Sequence, residues 1–221
     1  MSEYRRPAFP VAVYRDEQDR PVDYGNRWEG ASPPEDAYSR VSNPQRFAPL
    51  YAVAVALIEW LQDTFDVIVE QTPSAVTDLL HMPDDVIRAV RVVPREPTAA
   101  TLTFVLTPFP GVYLHAGALH DFQFPVCGCD ACDDDVTRLV QELEWTVHTV
   151  VSGGYFERFD PWPAHWIEYR LDEPGVAMQS GRSHTSDLPD ERVRLARTAL
   201  PPAGQWLPWQ KLPQWDADAV D

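Results

Sequence analysis

The stretch Thr101–His115, with the sequence Thr-Leu-Thr-Phe-Val-Leu-Thr-Pro-Phe-Pro-Gly-Val-Tyr-Leu-His, decides the fold. Two runs rich in β-branched and aromatic residues flank Pro108-Phe-Pro-Gly111, which is a strong turn signal, so the stretch predicts a β-hairpin. Similar apolar runs lie at residues 65–70, 86–93 and 119–124. Because the connections are too short for parallel crossovers, we predict an antiparallel meander of four or five strands.

Two amphipathic helices are expected to cover that sheet. Apolar residues at helical spacing predict a first helix that begins at Pro49, after a short turn. The strongest helical pattern covers residues 134–151 and ends before Gly153-Gly154. Trp145 falls on its opposite face, where we expect another segment to cover it. The predicted fold class is therefore α+β, a mostly antiparallel sheet packed against helices at 49–63 and 134–151.

The remaining sequence supplies shorter elements. Residues 166–171 and 176–179 predict two strands that can extend the same sheet, and residues 180–184 predict an exposed loop. A final helix is predicted at 189–200. We divide the chain into an extended N-terminal segment (1–43), a single α+β domain (44–205) and a C-terminal tail (206–221). Prolines surround Trp206, Trp209 and Trp215 in that tail, which is typical of a segment lying on the body of a fold.

Charge and composition exclude some classes of function. The 221 residues carry a net charge of −16, which repels nucleic acid and anionic membrane surfaces. A partner with a basic surface fits that charge better, although ordinary solvation explains it too. The longest apolar run, Leu50 to Ile58, is short of the roughly 20 residues that span a membrane. Because the N-terminus lacks a signal-peptide pattern and the 3 cysteines are no disulfide framework, we expect a cytoplasmic protein.

The cysteines form a compact motif, Cys127-Gly-Cys129-Asp-Ala-Cys132. The simplest interpretation is a buried turn of small side chains. A thiol–disulfide pair is a second interpretation, but the surrounding aspartates disfavour a thiolate. A zinc site is the third, because three thiolates supply three of the four tetrahedral ligands that zinc prefers. We assign the fourth ligand to His120, with Asp130, His115 and His184 as alternatives.

A glycine within the cysteine motif and an acidic run after it bear on the zinc interpretation. We expect Gly128 to adopt a positive φ, which would let Cys127 and Cys129 converge. The acidic run Asp133–Asp135 comes directly before the second helix. Acidic residues at a cap and in a first turn stabilise a helix N-terminus, so this run is expected to be structural.

Four segments resemble a family of uncharacterised actinobacterial proteins, a domain of unknown function. They are Tyr24-Gly-Asn-Arg-Trp28, Ser32-Pro-Pro-Glu-Asp-Ala-Tyr-Ser-Arg40, Phe104-Val-Leu-Thr-Pro-Phe-Pro-Gly111 and Phe122-Gln-Phe-Pro-Val-Cys-Gly-Cys-Asp-Ala-Cys132. The last contains the motif Phe-Pro-x-Cys-Gly-Cys-Asp-Ala-Cys. The resemblance covers most of residues 20–210. It implies a cytoplasmic protein, but it assigns no activity and no catalytic residue.

The sequence contains no zinc-protease, nucleophile-elbow, P-loop or dinucleotide-binding motif. We therefore expect a soluble, non-enzymatic accessory or binding protein whose cysteine loop is a structural thiol or zinc site. One alternative is a zinc-dependent enzyme that uses the same cysteines with an open coordination position. The other is an acidic interaction protein that occupies a basic partner.

Overall fold

A computed structural model describes residues 3–10, 12–160 and 165–213. Its main sheet contains five strands, each of which pairs antiparallel with the next along the chain. This order confirms the predicted meander. The strands are β1 Val67–Gln71, β2 Arg88–Pro94, β3 Leu102–Thr107, β4 Gly111–Ala116 and β5 His120–Phe124.

Three α-helices complete the body of the fold: α1 Pro49–Thr64, α2 Val136–Val151 and α3 Asp190–Ala199. Helix α1 begins at Pro49, as predicted, and follows a 3-10 turn at Pro44–Phe47. It packs against α2 and against the same face of β1, β2 and β4. The α+β prediction is confirmed, and the largest apolar core lies between this helix pair and the sheet.

The chain after α2 forms a second sheet, of order β6-β7-β8, from β6 Tyr155–Phe159, β7 Trp166–Glu173 and β8 Ala177–His184. The expectation that β7 and β8 extend the meander was wrong. Strand β6 follows α2 almost at once, and it pairs with β7 in place of the first sheet. The loop predicted at residues 180–184 was also wrong, since pairing continues to the end of the hairpin, where Trp166 faces His184.

The two faces of the meander differ in chemistry. Phe104, Leu114 and Phe122 are aligned across β3, β4 and β5 and point into the core beneath α1 and α2. The opposite face is covered in part by a 3-10 helix, Pro73–Asp78, and by a smaller apolar cluster. Helix α3 packs beside this face, on a cluster that includes Leu119.

Both ends of the described chain lie on the body. Tyr4 donates a hydrogen bond of 2.7 Å from its hydroxyl to Glu144 of α2. Trp145 of the same helix is half-buried. Trp206 and Trp209 are buried in the main core, and the Trp209 indole N–H donates to the carbonyl of Ala100 at 2.9 Å. Trp215 lies outside the described residues. Within the described ranges, no helix has the length and apolar character needed to cross a membrane.

Candidate metal centre

The three cysteines lie in the loop between β5 and α2. Their sulfur atoms all lie within 4.8 Å of one another, and the Sγ atoms of Cys129 and Cys132 are 3.5 Å apart. A tetrahedral zinc ion with Zn–S bonds of about 2.3 Å holds its sulfur ligands about 3.8 Å apart. None of the three cysteines forms a disulfide, so all three sulfurs are available as ligands. Their spacing fits the binding of a single metal ion.

Backbone N–H groups point at the sulfurs. The Cys129 N–H donates to the Cys127 sulfur at 3.5 Å, and the N–H groups of Ala131 and Cys132 donate to the Cys129 sulfur. Burial raises the pKa of the Cys129 thiol, but these donors and the two neighbouring cysteine side chains outweigh it, so the pKa is lowered. Burial and the other two cysteines raise the pKa of Cys132 to about 12. At neutral pH the raised pKa favours the thiol form of Cys132, and a bound cation would favour its thiolate.

Gly128 is needed for a different reason from the one expected. Its φ is not in the left-handed region, so the predicted positive φ was wrong. A Cβ at this position would lie 2.3 Å from Cζ of Phe109, whose ring packs directly over the glycine. The ring also contacts Phe47, with the two centroids 5.8 Å apart. The missing side chain thus allows the loop to pass beneath the turn between β3 and β4.

Asp130 fixes the loop to the N-terminal segment. It is 0% exposed, and its carboxylate accepts hydrogen bonds from the Ser42 backbone N–H and hydroxyl, both at 2.7 Å, and from Arg40 at 3.0 Å. Arg27 lies 3.2 Å away as an ion pair. Burial raises the pKa of Asp130, but these contacts outweigh it and hold the pKa below its usual value. Its oxygens are thus engaged in protein contacts.

The acidic run that follows has two roles. The Asp135 side chain accepts from the N–H groups of Thr137 and Arg138, at 3.1 and 3.0 Å, which confirms a helix cap. Asp133 instead accepts from the backbone N–H of Arg27 at 2.7 Å, so it joins Asp130 in binding the N-terminal segment. Burial raises the pKa of Asp134, since the half-buried carboxyl is desolvated.

The predicted histidine ligands lie away from this cluster. His120, on β5, stacks on Tyr169 of β7 with ring centroids 3.6 Å apart, and burial lowers its pKa to about 4. His115 is paired with Asp121, and His184 caps the short 3-10 helix after β8. Among the described residues, the group of potential ligands at this loop contains the three sulfurs alone.

Sequence reasoning missed a row of polar side chains on the opposite face of the meander. The strand register places the row straight across all five strands: Glu70, Arg91, Thr103, His115 and Asp121. Directly opposed residues point to the same side of a sheet, so the five side chains form one line. The signal in the sequence was the register set by the short turns, which aligns a polar residue of each strand with a polar residue of the next.

Hydrogen bonds join this row into two groups. In the first, Asp78 accepts from Arg91 Nε and Nη2 and from the Thr103 hydroxyl, each at 2.6 Å. In the second, His115 Nδ1 and Asp121 Oδ1 are 2.7 Å apart, and the backbone N–H of Leu80 donates to the other carboxylate oxygen at 2.8 Å. The row is therefore made of two hydrogen-bonded groups that lie side by side on one face of the sheet.

The comparison with protein families gives one match. The sequence model of a family of unknown function, DUF6226, matches residues 10–213. The chain belongs to this family. The match confirms the resemblance to a domain of unknown function, and the DUF6226 region contains the cysteine loop and the polar row. No curated protein and no solved structure is similar enough to count as a match.

Proposed function

We propose that the protein is a soluble, non-enzymatic binding protein in which Cys127, Cys129 and Cys132 hold a structural zinc ion. The observation that carries this proposal is the convergence of three free sulfurs within 4.8 Å. Thiolates are soft ligands that suit zinc better than magnesium or calcium. The N–H groups that donate to these sulfurs resemble the hydrogen bonds that commonly orient metal ligands.

The position of the loop suggests what the metal does. The loop joins β5 to α2, and it binds the N-terminal segment through Asp130 and Asp133. Zinc would fix the junction of these three parts. Burial and the two neighbouring thiols raise the pKa of Cys132, and a bound divalent cation would favour its thiolate form. Because free thiols suit a reducing compartment, we also propose a cytoplasmic location.

A zinc-dependent enzyme is the second candidate, because three protein ligands leave a fourth position for water. Cys127 and Cys132 are exposed, so that position would face solvent. Hydrolytic chemistry also requires a base or acid close to the metal. Within the described residues the cluster has neither a histidine nor a carboxylate among its potential ligands, and we therefore favour the structural role.

Elemental analysis of the purified protein tests the proposal. We expect about one zinc per chain, retained through gel filtration and released by a strong chelator with a fall in the melting temperature. A variant with all three cysteines changed to serine should contain no zinc, and the chelator should leave its melting temperature unchanged. Metal-free wild-type protein that does not take up added zinc would contradict the proposal.

For a macromolecular partner we propose a basic protein segment. A cleft of about 540 Å³ in the N-terminal segment is lined by five carboxylates and three arginines: Asp16, Glu17, Asp23, Glu29, Asp36, Arg20, Arg27 and Arg40. Of these, Glu17, Asp23 and Glu29 form no ion pair with any described residue. Salt-dependent binding of a lysine-rich peptide should weaken in a double variant, Asp23→Asn with Glu29→Gln, and persist in Glu191→Gln on α3. Equal binding by the two variants would contradict this site.

A further inference from the structure

A second site lies over the polar row, where α3 packs beside the sheet. A cleft of about 330 Å³ is lined there by Arg91 and His115 of the sheet and by Arg192, Leu195 and Ala196 of α3. The volume is within the range of small-molecule sites, which lie mostly between about 300 and 1,000 Å³. The cleft combines polar groups on one wall with apolar side chains on the other.

The carboxylates near this cleft already have partners. Asp78 accepts two hydrogen bonds from Arg91 and one from Thr103. Asp121 accepts from the backbone N–H of Leu80, and its other oxygen is 2.7 Å from Nδ1 of His115. Because ionised carboxylates only accept hydrogen bonds, the Nδ1 of His115 is the donor in this pair. The carboxylates therefore do not need a ligand to satisfy them.

Two nitrogen-bearing groups in the cleft remain available. Nη2 of Arg192 donates to the carbonyls of Thr77, Asp78 and Leu79, but no carboxylate of the described chain pairs with this guanidinium, and its Nε and Nη1 have no partner there. Nε2 of His115 likewise has no hydrogen-bond partner among the described residues, and it is not one of the fully buried unpaired polar atoms. In the tautomer that carries its proton on Nδ1, the His115 ring offers a lone pair at Nε2.

We propose that this cleft binds a small hydroxycarboxylate with a short apolar chain. The ligand carboxylate would accept hydrogen bonds from Arg192, as carboxylates commonly do from guanidinium groups. Its hydroxyl would donate to Nε2 of His115, and the apolar chain would lie against Leu195 and Ala196. A cationic guanidinium without a carboxylate partner, in a chain of net charge −16, favours an anion at this position. The inference does not depend on the metal site.

Ligand-observed NMR titrations with 2-hydroxyhexanoate and hexanoate test the proposal. We expect a dissociation constant on the order of 1 mM for 2-hydroxyhexanoate, which is typical of a ligand with few atoms. Hexanoate lacks the hydroxyl and should bind about tenfold more weakly, since it leaves the imidazole nitrogen unpaired. Equal affinities for the two compounds would overturn the assigned ligand class.

Variants on α3 locate the site. Arg192→Gln should weaken binding of 2-hydroxyhexanoate by about tenfold or more. Leu195→Glu provides a second test that does not disturb the fold, because Leu195 is 49% exposed, and its new carboxylate would repel the ligand. Arg194→Gln is the matched control, since Arg194 is exposed and pairs with Glu191 away from the cleft lining. Binding that survives Leu195→Glu unchanged, or no binding to the wild type, would overturn the proposal.

Discussion

The cysteine loop gives a sharp prediction, because zinc binding and simple burial rank its thiols differently. Cys129 is 7% exposed, whereas Cys127 is exposed. If the thiols are only packed side chains, Cys129→Ser should destabilise the protein by about 1 kcal/mol, and Cys127→Ser should change stability by no more than about 0.5 kcal/mol. If both sulfurs bind zinc, each change removes one of three ligands and both variants should lose similar stability.

The size of the zinc effect follows from linkage. A ligand present at about 100 times its dissociation constant stabilises the folded state by about 2.7 kcal/mol. In a domain of this size 1 kcal/mol shifts the melting temperature by about 2–4 °C, so either variant should melt about 5–10 °C below the wild type. In excess chelator, Cys127→Ser and the wild type should have the same melting temperature, because the exposed Cys127 makes no packing contribution of its own.

Differential scanning calorimetry with equimolar zinc, and again with chelator, separates the stability that comes from zinc binding from the stability that comes from packing of the thiols. The zinc account expects Cys127→Ser and Cys129→Ser both to melt well below the wild type when zinc is present, with only the smaller packing loss of about 1 kcal/mol separating them. A Cys127→Ser protein that melts with the wild type under both conditions would refute the reasoning, because the loss of one of three sulfur ligands must weaken zinc binding and its contribution to stability.

Three further predictions concern the surroundings of the loop and β5. Asp130→Asn should lower the free energy of unfolding by about 2 kcal/mol, because hydrogen bonds to a buried charge are lost. The contribution of Asp130 is present above the pKa of the unfolded chain and is lost as pH falls through the lowered pKa of the folded protein. Urea melts of the variant that match those of the wild type would contradict this prediction. Gly128→Ala should cost about 1 kcal/mol in the wild type and nothing in a Phe109→Ala background, which a double-mutant cycle measures. Burial lowers the pKa of His120 to about 4, so below about pH 6.5 this histidine is protonated in the unfolded chain but stays neutral in the folded protein. The free energy of unfolding should therefore fall as the pH drops from about 6.5 toward 4. Between pH 7 and 5, His120→Gln should lose about 2 kcal/mol less than the wild type in urea melts, and equal losses would count against this assignment.

The meander and the two main helices could be predicted because their signals are local. Thr101–His115 contains both strands and the turn between them, and the stripe after Pro49 repeats at helical spacing. The second sheet was predicted only in part, as strands at 166–171 and 176–179, and no feature of the sequence predicted β6. The second half of β8 is an edge strand with small residues such as Ser180 and Gly181, so alternation is absent there and only its pairing with β7 defines it.

The candidate site divides in the same way. The three cysteines are neighbours in sequence, and a short loop brings them together whatever the rest of the fold does. The histidines depend on tertiary placement. Successive residues of a strand point to opposite faces, so His120 packs on Tyr169 while Asp121 joins His115 on the other face. The polar row required the register of five strands at once, which no single segment encodes.

X-ray absorption at the zinc edge tests the central claim most directly, because it counts the atoms bound to the metal. The account predicts three sulfur ligands at about 2.3 Å and one lighter atom at about 2.0 Å. Cys127→Ser should lower the sulfur count by one, or abolish binding. A spectrum with only nitrogen and oxygen ligands, or wild-type protein that binds no zinc at all, would contradict the assignment of Cys127, Cys129 and Cys132 as a zinc site.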